Sequence, residues 1–167
     1  MGEGELIVKS QSEDAGLRMG EGKVSLESEG LSFGEIYMNG GTLGFKNAQN
    51  LKTDTLYMNG GTLDLSGLTL NFDQIKANSN NVFITSSQSG THLNLENKQD
   101  YLYHGNIVSD KAININAKSQ NNLVFDGNIY NKEGVFKAEN AKLNFQGHAR
   151  IHAYVAKNKL KNFKSKV

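Results

Sequence analysis

The chain has 167 residues with 18 basic and 17 acidic side chains, a length that suits one domain or a segment of a longer one. This balanced charge gives no strong electrostatic attraction for nucleic acid or anionic lipid, so we expect no nucleic-acid partner. Cysteine is absent, which excludes disulfides, thiolate metal ligands and a cysteine nucleophile.

The N-terminal sequence MGEGELIVKS has neither a basic start nor a long apolar core. We therefore expect that this chain alone carries no export signal. No apolar run further along the chain approaches the roughly 20 residues of a membrane-spanning helix.

Short groups that alternate apolar and polar residues then follow one another along the chain, the pattern of strands with one buried face. They begin at Lys23 (KVSLES), Gly41 (GTLGFKN), Gly61 (GTLDLSGLTLNF), Asn81 (NVFITSS), Thr91 (THLNLEN), Ala112 (AININAKS), Asn122 (NLVFDGN) and Ala141 (AKLNFQG). Gly, Asn, Asp and Ser, which favour turns, stand between the groups. We predict an all-β chain, in which only the lysine-rich end, 157–166, is compatible with a weak helix.

The heptapeptide YMNGGTL occurs at 37–43 and again, twenty residues later, at 57–63. One coil of a β-solenoid takes roughly 20 residues, and equivalent positions in stacked coils lie about 4.8 Å apart. The repeat therefore predicts a single-stranded parallel β-helix over residues 1–156, followed by a frayed lysine-rich tail at 157–167. GEGKVSL at 20–26 is similar to an earlier copy that is one residue out of step, and a local duplication within another β fold is the alternative. The equivalent positions are Tyr37 and Tyr57, Asn39 and Asn59, Gly40 and Gly60, Gly41 and Gly61, and Leu43 and Leu63.

Side chains that could carry catalysis do not form a motif in the context that catalysis needs. Gly-Asp-Ser-Gly is absent from the sequence, and the Gly-x-Ser-x-Gly match GLSFG at 30–34 is not followed by the helical pattern of a nucleophile elbow. His148 and His152 are four residues apart, but in a strand-rich region they need not converge, and no HExxH surrounds them. We predict no catalytic, metal or cofactor site and no cofactor. A metal site at the histidine pair and a polysaccharide-cleaving β-helix with clustered aspartates are the less favoured alternatives.

Two stretches resemble secreted serine-protease autotransporters of the IgA1-protease and Hap type. Residues 60–87, GGTLDLSGLTLNFDQIKANSNNVFITSS, are similar to a recurrent passage with Gly-Gly, an aliphatic-Asp-Leu strand, a small turn and a Leu-Thr-Phe strand. Residues 122–154 are similar to a passenger segment that ends in Ser-Gly-x-Pro-x-Pro-His-Ala-Tyr. Ala149 and Ile151 stand where that pattern has prolines. The residues that match it are Gly147, His152, Ala153 and Tyr154.

This resemblance implies a modular parent protein, with an N-terminal chymotrypsin-like protease, a long right-handed parallel β-helix and a C-terminal outer-membrane barrel. The chain would be part of the β-helix, a stalk without catalysis that displays an effector domain outside a Gram-negative cell. The implied partners are the rest of the passenger and the barrel, and the implied location is secreted or on the cell surface. Neither end resembles a cap, so we expect a segment of something longer. The alternative is an adhesin segment that binds host surface proteins or self-associates.

Overall fold

The computed structural model describes residues 4–9, 15–27, 32–46, 52–118, 120–140, 142–156 and 159–162, with side chains described up to residue 150. In these ranges the regular secondary structure consists of β-strands alone. A helix able to span a membrane is not found there. The strands are β1 (Glu5–Val8), β2 (Ala15–Met19), β3 (Lys23–Leu26), β4 (Ser32–Met38), β5 (Thr42–Phe45), β6 (Lys52–Met58), β7 (Gly61–Asp64), β8 (Thr69–Ala77), β9 (Val82–Thr85), β10 (Thr91–Leu95), β11 (Tyr101–Tyr103), β12 (Asn106–Ser109), β13 (Ile113–Ala117), β14 (Asn122–Phe125), β15 (Ile129–Ala138), β16 (Lys142–Phe145), β17 (Ala149–Ala156) and β18 (Lys159–Asn162).

The strands stack in parallel ladders, because each pairs with the strand one coil before it and one coil after it. The first ladder runs β1, β3, β5, β7, β9, β12 and the beginnings of β15 and β17. The second begins with β2, β4, β6 and β8, which pair along most of their length. Parallel pairing of this kind, with the chain advancing by one coil between partners, defines a β-solenoid.

After β8 the second ladder divides into two faces. The first half of β8 pairs with β10, which leads to β13 and the ends of β15 and β17. The second half of β8 has β11 as its neighbour one coil later. His104, the residue after β11, donates its N–H to the carbonyl of Ala77 at the end of β8. β11 leads in turn to β14 and β16. The coils that begin with β9 and β12 therefore have three separate strands. The earlier coils, and the later coil that begins with β15, have one long strand and one short strand.

The interior of the solenoid is filled by the inward residue of each alternating pair. Val24, Leu43 and Leu63 are register partners on successive coils of the first ladder, and all three are buried. Towards the later coils aromatic rings fill the core: Phe125 stacks on Phe145 with centroids 5.5 Å apart, and Phe136 meets Phe145 edge-on at 5.1 Å. Full burial of one such side chain stabilises the fold by roughly 1.5–3 kcal/mol.

The predicted all-β parallel solenoid is confirmed, and every predicted alternating group contains a strand. The long strands β4 and β6 were not predicted, because two successive outward residues interrupt their alternation. In β6 these are Asp54 and Thr55, between the buried Thr53 and Leu56. The helix considered for the lysine-rich end is wrong at residues 159–162, which form β18 and pair antiparallel with β17.

Candidate functional surface on the stacked repeat

The two copies of the heptapeptide lie directly above one another. Tyr37 in β4 is the register partner of Tyr57 in β6, and their rings stack with centroids 4.6 Å apart and planes 7° apart. Beside them, Asn59 Nδ2 donates a hydrogen bond of 2.9 Å to Asn39 Oδ1. Aromatic stacks and asparagine ladders are the contacts that favour identical residues in successive strands.

The glycines and leucine of each copy form the turn into the first ladder. Leu43 and Leu63 are register partners and are fully buried. Gly41 and Gly61 have positive φ values of 72° and 95°, which side chains rarely adopt. A Cβ on Gly61 would lie 2.6 Å from the carbonyl oxygen of Gly41, so the coils could not approach as closely with any other residue.

The earlier, out-of-step copy occupies the preceding coil. Lys23 pairs with Thr42 and Val24 with Leu43, which brings KVSL under TLGF. Gly22 has a φ of 90°, like the glycines that stand above it. The same turn is therefore built on three successive coils.

The tyrosine pair is flanked by two cations, one on each side, that were not predicted from the sequence. Arg18 and Lys76 are the register partners of Tyr37 and Tyr57. Arg18 Cζ lies 4.6 Å from the Tyr37 ring centroid, and Lys76 Nζ lies 5.5 Å from that of Tyr57. The Tyr37 hydroxyl donates to Glu35 at 2.9 Å, and this hydrogen bond is the main cause that raises the pKa of Tyr37. The spacing in the sequence could have identified Arg18 and Lys76, since each cation lies about one coil from its tyrosine.

Of the histidines that could support chemistry, His104 and His148 lie at turns and His152 lies within a strand. His104, after β11, contacts Asp126, after β14, with Nδ1 and Oδ2 2.7 Å apart on the surface. His148 directly precedes β17, and His152 lies within β17, where side chains are outside the described residues. Groups of three or more metal-binding side chains are not found in the described part of the chain.

The residues that match the autotransporter pattern lie around β17. A Cβ on Gly147 would overlap the carbonyl oxygen of Gly127, one coil earlier, so this position requires glycine. In backbone register, Ala153 pairs with Val135 and Tyr154 with Phe136. These pairings place Ala153 and Tyr154 within the continuous ladder.

A buried tyrosine is the most unusual polar group of the core and was not predicted. Tyr103 is only 2% exposed, its hydroxyl has no hydrogen-bond partner among the described residues, and burial raises the pKa of its phenol strongly. It borders an apolar cavity of about 10 Å³, the size of roughly one water molecule. Ligand pockets are typically about 300–1,000 Å³, so this cavity is not one of them.

Comparison with known proteins gives the relatives of the chain. The serine protease sat autotransporter of Escherichia coli O6:H1 is 34% identical over 167 aligned residues, which cover 92% of this chain and 13% of that protein. Serine protease EspP of Escherichia coli O157:H7 is 34% identical, covering 92% and 12%. The serine protease pet autotransporter of Escherichia coli O44:H18 is 33% identical, covering 97% and 13%. No family model matches the chain, and no solved structure gives a significant match.

The chain thus spans about an eighth of the length of the curated relatives that it matches. The resemblance noted from short motifs therefore extends over 92–97% of the chain. This chain is a homologue of one segment of the serine protease autotransporters, and it folds as the β-solenoid expected of a passenger segment.

Proposed function

We propose that this chain is a non-catalytic stalk segment of an IgA1-protease-type serine endopeptidase autotransporter. In this role it holds an effector domain away from the surface of a Gram-negative cell, with the rest of the passenger and the barrel as its partners. The observation that carries the proposal is the set of continuous parallel ladders with an apolar interior. A stack of coils with a close-packed interior is long and rigid, as a stalk must be.

The use of the carboxylates supports a structural role. Asp64 Oδ1 accepts hydrogen bonds of 2.9 Å from the backbone N–H groups of Ser66 and Ser87. Asp100 accepts the N–H of Asn122, one coil later, at 2.6 Å. These aspartates join neighbouring turns and coils, whereas a polysaccharide-cleaving β-helix would cluster its carboxylates on one face.

A chimera tests the stalk role in its natural setting. The matched stretch of the serine protease sat autotransporter is replaced by this chain, and protease activity outside the cells is measured. We expect the chimera to retain activity, because the substituted coils continue the ladders above and below. Leu65→Asp, which buries a carboxylate at a fully buried position, should abolish the external activity.

The matched control is Leu102→Asp, the same change at a leucine that is 38% exposed. It should leave the external activity near that of the unsubstituted chimera. Equal activity with Leu65→Asp would show that the segment need not fold to support export, and the stalk role would be wrong. The narrower IgA1-directed specificity is tested separately, by incubating the complete parent protein with IgA1.

An adhesive role is the second candidate, favoured by exposed apolar side chains on the first ladder. Phe83, Val108 and Tyr130 lie on β9, β12 and β15 of that face and are 41%, 42% and 36% exposed. Such a patch could contact host surface proteins or another copy of the chain. Binding to host matrix, or self-association, that is lost in Phe83→Ser and Tyr130→Ser but kept in Leu102→Ser would support it.

A further inference from the structure

A row of polar side chains lines the corner that follows the first ladder. We name it the serine corner; it consists of Ser66, Ser86, Ser109 and Asn131. Ser86, Ser109 and Asn131 are at most 4% exposed, although all are polar. Buried polar side chains are retained where they satisfy other buried polar groups, so their partners explain the row.

The first two members accept hydrogen bonds from backbone N–H groups of the preceding coil. Ser66 Oγ accepts from the N–H of Phe45 at 3.3 Å. Ser86 Oγ accepts from the N–H of Gly67 at 3.1 Å. Both donors lie a few residues beyond the last register pair that their strand makes with the strand of the following coil.

The other two members repeat the arrangement in later coils. Ser109 Oγ accepts from the N–H of Ser86 at 3.2 Å. Asn131 Oδ1 accepts from the N–H of Ile113 at 3.0 Å, and Asn131 Nδ2 donates to the carbonyl of Ile113 at 2.8 Å. In all four contacts the donor belongs to one coil and the accepting side chain to the next.

The hydroxyl protons explain why the serines act as acceptors. Ser86 Oγ donates to the carbonyl of Gln88 at 2.8 Å, and Ser109 Oγ donates to that of Lys111 at 2.6 Å. Each proton is thus used within its own coil, which leaves the oxygen lone pairs free to accept from the coil before. A longer contact from Ser109 Oγ, 3.4 Å to the Ser86 carbonyl, also points to the preceding coil.

We propose that the serine corner is a directional latch: each of its four side chains accepts a hydrogen bond from a backbone amide of the coil before it. A coil's corner is therefore closed only when the next coil has docked. Local opening at this corner spreads towards the N-terminus, because loss of one acceptor frees a donor in the preceding coil.

Asp64 provides a contact of the opposite direction at the same corner. Its Oδ1 accepts the N–H of Ser87, which lies one coil later. Removing this carboxylate should free an amide in the following coil. The two kinds of substitution therefore give opposite predictions for hydrogen exchange.

Amide hydrogen exchange measured by NMR on the 167-residue chain tests the latch. In Ser109→Ala the amide of Ser86 should exchange about tenfold faster, the effect of losing one buried hydrogen bond. The amide of Ile113, held by Asn131, should keep its rate. In Asp64→Ala the amide of Ser87 should exchange faster while the amide of Phe45 is unchanged.

Ser66→Gly guards against a variant that fails to fold. Ser66 has a φ of 54°, which glycine adopts readily, so this change removes the hydroxyl without adding backbone strain. It should speed exchange at Phe45 and leave Ser86 unaffected. The proposal is overturned if Ser66→Gly or Ser109→Ala leaves the preceding coil's amide unchanged, or if exchange rises equally in the coils on both sides.

Discussion

The rings of Tyr37 and Tyr57 lie parallel on adjacent coils, 4.6 Å apart between centroids, with Asn39 and Asn59 hydrogen-bonded beside them. The sequence repeat exists because these positions touch: a residue that packs well against its own kind is favoured again one coil later. Stacked rings and amide ladders make this preference strongest for tyrosine and asparagine.

A double-mutant cycle measures the tyrosine contact. Tyr37→Leu, Tyr57→Leu and the double variant are compared in free energy of unfolding from urea titrations. We expect a favourable coupling of about 0.5–1.5 kcal/mol, the usual value for an aromatic pair. A coupling of zero would mean that the stack forms without contributing to stability.

The turn glycine Gly61 should not tolerate a side chain. Its φ is 95°, and a Cβ would lie 2.6 Å from the Gly41 carbonyl oxygen. Gly61→Ala should therefore lower the free energy of unfolding by about 1–3 kcal/mol through backbone strain, and the close contact of the Cβ should add to this loss. The control is Gly44→Ala, where the nearest atom to the new Cβ is Ser66 Oγ at 3.9 Å. Equal losses in thermal denaturation would contradict this account of the turn.

Leu65 and Asp64 are neighbours with opposite roles, and the alternation predicts that leucine points inward. Leu65 is fully buried, so Leu65→Asp leaves an unpaired carboxylate in the core and should cost at least about 3 kcal/mol. Asp64→Ala should cost less, about 1–3 kcal/mol, because Asp64 holds the N–H groups of Ser66 and Ser87. Asp64→Asn, which keeps an accepting oxygen, serves as the control in the same denaturant titration. A larger loss for Asp64→Ala would mean that the turn matters more than the core at this point.

The regular part of this fold could be predicted because it repeats. A seven-residue identity that recurs after twenty residues, together with period-2 alternation, places Leu43 over Leu63 and Tyr37 over Tyr57. The antiparallel strand β18 could not be predicted, since a lysine-rich sequence has no clear alternation of apolar residues.

Corner contacts were beyond prediction for a different reason. The distance from donor to accepting side chain in the serine corner varies between 18 residues, from Ile113 to Asn131, and 23, from Ser86 to Ser109. Coil length differs because turns differ, so a fixed period does not align these residues. The hydrogen bond between Gln74 and Asn97 inside another corner is hidden in the same way.

The buried phenol of Tyr103 predicts a loss of stability in alkali. Burial raises its pKa above that of an exposed tyrosine, about 10, so above that pH the unfolded chain ionises while the folded chain stays neutral. The free energy of unfolding should therefore fall as pH rises beyond about 10, by up to about 1.4 kcal/mol per pH unit for this group. Below pH 10 both states are neutral and the group adds no pH dependence.

Tyr103→Phe should remove this part of the alkaline slope, measured as the difference in unfolding free energy between pH 9 and pH 11. At neutral pH the same variant should be as stable as the parent or more stable, because the hydroxyl has no hydrogen-bond partner in the described part of the chain. Tyr130→Phe, at a tyrosine that is 36% exposed, is the control and should keep the slope. An unchanged slope in Tyr103→Phe would show that the phenol reaches water in the folded state.

The last prediction concerns catalysis: the purified chain should cleave neither peptides nor IgA1. A serine protease must bring a nucleophile, a base and an oxyanion hole together. The imidazole–carboxylate contact described here, His104 with Asp126, instead joins the turns of two neighbouring coils. Incubation with a peptide library and mass spectrometry of the products should show no cleavage beyond that of a mock purification. Cleavage that survives repurification and disappears in His104→Ala would assign catalysis to this pair. The effector activity of the parent protein would then extend into its stalk.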